Sequence, residues 1–119
     1  MAHFGNDEAG FSVWLDDPTR TVRVKAWGFW TPEVAAEFAR SVTEACRSVQ
    51  NANLSMDLTG LKPQREEGQA AFAAMMGALP RLGLSRASIQ GANPLTKLQL
   101  LRIAKERAVR NLVHFTGEP

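Results

Sequence analysis

The side chains of this 119-residue chain that could do chemistry concentrate at residues 61–67, LKPQREE. Leu61, Lys62, Gln64, Arg65, Glu66 and Glu67 follow a segment in which Leu54, Met56 and Leu58 alternate with Ser55, Asp57 and Thr59. That alternation is the period of a strand. Gly60 breaks the strand, Pro63 stiffens the loop, and the alanine-rich run after Glu66 favours a helix. Open α/β sheets place their sites in such loops, at the carboxyl ends of strands. Adjacent residues on a helix point about 100° apart, so Glu66 and Glu67 make a poor acid/base pair. They complement the positive end of the helix dipole. With Arg65 they also form a charged rim on which a partner protein could dock.

The remaining candidates stand alone. Asp57 has no second acid at metal-binding spacing and reads as a hydrogen-bonded anchor for the loop. Cys46 is the only cysteine, which excludes an intrachain disulfide and a cysteine-based zinc site. It lies on the apolar side of a helix with Val42 and Val49, as a small buried hydrophobe would. His3 and His114 are far apart in the sequence and have no catalytic companions. No GxxxxGK(S/T), GxGxxG or GxSxG motif occurs. No enzyme activity, metal or cofactor is expected.

The elements that must position the 61–67 segment follow from patterning. Phe11, Val13 and Leu15 alternate with Ser12, Trp14 and Asp16, and a turn at Asp17-Pro18-Thr19-Arg20 leads into a second strand over 21–30, which implies a hairpin. Thr31-Pro32-Glu33 starts a helix, with Thr31 as N-cap, proline at the first position and an acid in the first turn. Val34, Phe38, Val42, Ala45, Cys46 and Val49 supply its apolar stripe. After the 54–59 strand, a helix is expected from 66 through 79, ended or kinked by Pro80. Residues 86–91 read as a strand, Asn93-Pro94 starts a third helix faced by Leu95, Leu98, Leu101 and Ala104, and 112–115 read as a last strand. The order is β-β-α-β-α-β-α-β. It predicts an α/β mixed sheet of about five strands with an N-terminal hairpin, covered by three or more helices through right-handed crossovers.

Length and composition suit one domain with a core, at 45% apolar residues. Residues 1–10 are expected to be a flexible segment, 11–116 the domain and 117–119 a tail. The N-terminus MAHFGNDEAG has no basic stretch before an apolar one, so a secretory signal is not expected and a cytoplasmic location is the default. Formal net charge is only +2. A nucleic-acid partner is therefore disfavoured unless the basic residues cluster on one face.

Two segments carry a resemblance to the STAS domains, the SpoIIAA-like (anti-anti-sigma-factor-like) family, spanning about residues 11 to 116. VRVKAWGFWTPEVAAEFA is a strand entering a helix, and MDLTGLKPQREEGQAAF looks like the family's "DLSG…DSSG" strand-loop-helix. LTKLQLLRIAKE, residues 95–106, is similar to a later helix of the SpoIIAA-like branch. In phosphorylated members, the resemblance implies a phosphoacceptor serine at the start of the helix after the loop. On this chain "DSSG" falls on Arg65, Glu66, Glu67 and Gly68, so a carboxylate replaces the hydroxyl. Residues 61–69 contain no Ser or Thr. The resemblance thus implies a non-phosphorylatable, non-enzymatic interaction module in a bacterial regulatory system, binding a regulatory protein through Leu61, Lys62, Gln64, Arg65, Glu66 and Glu67.

Two further surfaces are expected. Trp14, Trp27, Phe29 and Trp30 offer an apolar patch for homo-oligomer formation or ligand contact, provided that helices leave their face of the sheet open. The alternative function is a binding module for an apolar or lipid-like small molecule, lined by Phe72, Met75, Met76 and the tryptophans. No apolar run is long enough to span a bilayer. The third helix, with Lys97, Arg102, Lys105, Arg107 and Arg110 around Glu106, keeps a peripheral membrane contact open.

Overall fold

A computed structural model describes residues 2–49, 51–84 and 86–116; the expected tail at 117–119 lies outside them. The alternating segment at the N-terminus forms β2 (Gly10–Asp16), and the 17–20 turn returns the chain as β3 (Thr21–Gly28). The two pair antiparallel, with Val13 opposite Val24 and Trp14 opposite Arg23. Residues 2–5 add a strand that patterning does not reveal, β1 (Ala2–Gly5), which pairs antiparallel with β2. Its segment AHFG is too short for an apolar/polar period to stand out. Backbone pairing and the stacking of Phe4 on Phe11, with centroids 6.1 Å apart, hold it in place.

Helix α1 (Pro32–Arg47) starts as its sequence dictates: the Thr31 side chain accepts the Val34 N–H, Pro32 occupies the first turn and Glu33 faces the dipole. It buries Val34, Phe38, Val42 and Cys46. Next come β4 (Asn53–Leu61), α2 (Glu66–Ala78), a 3₁₀ turn over Leu79–Leu82 containing Pro80, β5 (Ala87–Gln90), α3 (Pro94–Glu106) and β6 (Val113–Thr116). The strands lie in chain order, β1-β2-β3-β4-β5-β6, antiparallel through β3 and parallel from β3 onward. The expected mixed α/β sheet with an N-terminal hairpin and three helices is therefore present, with six strands.

Right-handed crossovers between successive neighbours put all three helices on one side of the sheet. Burial agrees. Val22, Val24, Leu54, Met56, Leu58, Ala87, Ile89 and Val113 are at most 1% exposed and face the helices. The opposite face carries two cross-strand rows: His3, Ser12, Lys25, Asp57, Gln90 and Thr116, then Trp14, Arg23, Ser55, Ser88 and His114. Polar side chains let this face meet water. On the helix side, Phe11, Trp30, Phe38 and Phe72 form an aromatic quartet, with the Trp30 and Phe72 rings stacked at 5.3 Å.

Helix α3 departs from the expected orientation. It buries Thr96, Leu100, Ile103 and Ala104, while Leu95 and Leu98 are 57% and 63% exposed. LTKLQLL carries leucines on two stripes, so apolar spacing alone could not choose between them. Tertiary hydrogen bonds choose. The Asn93 side chain accepts the Thr96 N–H and donates to the Leu61 carbonyl, and Gln99 bonds the loop before α2.

Candidate functional site

The candidate rim is built on a turn of β4. Lys25 pairs with Asp57 but Trp27 pairs with Gly60, so β4 carries a bulge at its end. The Asp57 carboxylate accepts both the N–H and the hydroxyl of Thr59, at 3.0 and 2.6 Å, and closes the bulge. The Thr59 hydroxyl, outweighing partial burial, holds the Asp57 carboxyl below its ordinary range, with Lys25 adding to the effect. Asp57 is thus an anchor in the structure.

Beyond the bulge the chain is fixed by Gln64. Its side chain is 6% exposed and fully bonded. Oε1 accepts the Trp30 N–H at 3.1 Å, and Nε2 donates to the Gly28 carbonyl at 3.0 Å and the Lys62 carbonyl at 2.6 Å. Its backbone exchanges two bonds with the Gln99 amide, at 2.9 and 3.0 Å, and its carbonyl also accepts from Gln69 at 2.8 Å. One residue therefore joins the ends of β3 and β4, the starts of α1 and α2, and the middle of α3. Gly68 makes room for it: a Cβ there would lie 2.6 Å from the Gln64 side chain. Gly28, at φ +80°, similarly lets the β1–β2 loop approach, since a Cβ would strike the Glu8 carbonyl.

This scaffold sorts the expected site residues into two groups. Leu61, 1% exposed, and Gln64 are interior and hold the loop from beneath. Lys62, Arg65, Glu66 and Glu67 are exposed. Arg65 is the N-cap of α2 but makes no side-chain cap; its guanidinium lies over the Phe29 ring, 5.0 Å from the centroid. Glu66 and Glu67 occupy the uncapped first turn, where their charge offsets the free N–H groups. Glu67 also stands at one end of an open cleft of about 380 Å³ between α1 and α2, walled by Ala36, Ala39, Ala70 and Ala74.

The aromatic patch does not assemble as expected. Trp30 is 6% exposed, and its indole N–H donates to the Gly10 carbonyl at 3.2 Å, so it belongs to the core. A residue past Gly28 no longer follows strand alternation, which is why the pattern misplaces it. Trp27 does lie on the open sheet face, but the N-terminal segment leans on it. Its N–H donates to the Asn6 carbonyl at 2.7 Å, and the His3 ring lies 5.8 Å away. Phe29 sits with Arg65 on the rim. Trp14 is half-buried beside Lys25, Ser55 and Asp57 around a shallow depression of about 120 Å³.

Phe72, Met75 and Met76, the expected lining of an apolar pocket, are at most 1% exposed within the packed core and line none of the clefts described here. Burial pushes the Cys46 thiol up to about 11, consistent with a structural residue. Among the described residues, no group of three or more His, Cys, Asp or Glu side chains could hold a metal ion. None of the described helices is long and apolar enough to cross a membrane.

With bulge, loop and one-sided helices in place, the fold is of the SpoIIAA-like, STAS class. The chain is similar to the solved structure of the anti-sigma factor antagonist SpoIIAA in its unphosphorylated form, with a TM-score of 0.59 over 90% of each chain at 13% sequence identity. No protein-family model and no curated protein matches the chain in sequence.

Proposed function

We propose that this chain is a non-enzymatic STAS-type interaction module that captures a regulatory protein of a bacterial, cytoplasmic system through the rim of Lys62, Arg65, Glu66 and Glu67. The supporting observation is the Gln64 lock. It holds an exposed, charged helix start rigidly at the carboxyl ends of the parallel strands and supplies no catalytic group there. SpoIIAA, whose fold this chain shares, is an anti-sigma factor antagonist with an unphosphorylated form. Here Glu66 stands where the resemblance implies a phosphoacceptor, and a carboxylate carries about one of the roughly two negative charges of a phosphoserine. Capture would then be set by protein level or by a ligand rather than by a kinase. Self-association at the Trp14 corner of the open sheet face belongs to the same reading.

Glu66→Lys combined with Glu67→Lys removes both acids of the rim and takes its formal charge from 0 to +4 without touching a buried contact. Affinity purification from the native cell should lose its specific partner by roughly tenfold or more, while the protein stays folded and its unfolding free energy falls by only about 1–2 kcal/mol, through the lost interaction with the helix dipole. A partner recovered equally with the double variant refutes the rim.

A further inference from the structure

The outer side of α3 combines features that the fold does not use. Leu95, Leu98, Arg102 and Lys105 follow the spacing of one helical ridge and are all exposed. Leu98, 63% exposed, is the most exposed large apolar side chain among the described residues. The cations of the chain also gather in this last segment. Residues 94–116 carry five cations, Lys97, Arg102, Lys105, Arg107 and Arg110, against Glu106 alone, whereas residues 1–93 carry nine Lys and Arg against ten Asp and Glu. The net charge of +2 therefore conceals a cationic C-terminal segment: Arg102 and Lys105 share the ridge with Glu106, while Lys97 lies over the Phe115 ring and Arg110 bonds the Val113 carbonyl.

We propose that this ridge is a peripheral membrane-docking face: Leu95 and Leu98 enter the headgroup boundary of an anionic lipid surface, and Arg102 and Lys105 meet its phosphates. Shape and composition favour lipid over a protein. Protein hot spots centre on aromatic or arginine anchors seated in pockets and are depleted in lysine. The α3 ridge is convex and aliphatic at its crest, and the two clefts described above are lined by other elements. Apolar tips among Lys and Arg on one helix face are what an anionic interface binds. Gln99, bonded in both directions to the Gln64 backbone, fixes the rotation that turns the leucines outward. The proposal does not depend on the partner-docking reading of the α2 rim.

Sedimentation with vesicles tests it on the full chain. The protein should pellet with phosphatidylcholine vesicles containing about one-third phosphatidylglycerol, should stay in the supernatant with phosphatidylcholine alone, and should lose binding as salt rises. Leu98→Glu should weaken binding roughly tenfold or more, and so should Arg102→Gln with Lys105→Gln. Arg47→Glu, the same charge change on α1, should bind like the wild type. No sedimentation with the anionic vesicles overturns the proposal, as does an equal loss from Arg47→Glu, which would mean diffuse charge attraction. A photo-crosslinking residue at position 98, irradiated in intact cells, reads the competing occupant: lipid adducts support the proposal, and protein adducts without lipid overturn it.

Discussion

Gln64 shows how one interior side chain can hold a surface in place. The residue belongs to a loop by sequence, yet it is buried and joins two strand ends to two helix starts and the middle of a third helix. Gln64→Ala leaves the Trp30 N–H and the Gly28 and Lys62 carbonyls without their side-chain partner in a nearly dry place. The expected loss is about 3 kcal/mol of unfolding free energy in urea. A loss below about 0.5 kcal/mol would mean that water replaces the amide and that the lock is not structural. No pattern in the sequence marks this role, because a glutamine between Pro63 and Arg65 looks like any solvated loop residue. Gly68 was the available signal: a glycine in the first turn of an otherwise alanine-rich helix implies that something approaches its Cα.

At the level of elements, the sequence is most explicit where local chemistry decides. Thr31-Pro32-Glu33 and Asn93-Pro94 start their helices, and the 54–59 alternation makes β4. It is silent where tertiary contacts decide. The rotation of α3 is one such case, since Leu95–Leu98 and Leu100–Ile103 are both acceptable apolar stripes and only the Asn93 and Gln99 bonds separate them. Paired substitutions report this directly. Leu100→Ala should cost about 2–5 kcal/mol, whereas Leu98→Ala should stay within about 0.5 kcal/mol. Similar losses at both positions would show that α3 is turned otherwise. Strand β1 was illegible for a different reason: at four residues it is too short for a period to stand out, although Phe4 stacks on Phe11.

For the whole molecule, helices on a single side leave four parallel strands with one face uncovered by this chain, an arrangement usually relieved by a second layer. The polar rows across that face keep it hydrated, and the Trp14 corner is where a second copy would gain most. Light scattering during size-exclusion chromatography should give twice the chain mass for the wild type and the single mass for Trp14→Glu; a monomeric wild type removes self-association from the proposed function. The chain-order arrangement of the strands has a consequence for biosynthesis. From β2 to β6, each strand pairs with the one made just before it, so the sheet can lengthen at its free edge as the polypeptide leaves the ribosome. No strand has to be inserted between two already in place, and every crossover closes a loop of modest length. The nascent protein can therefore hide its apolar face step by step during translation.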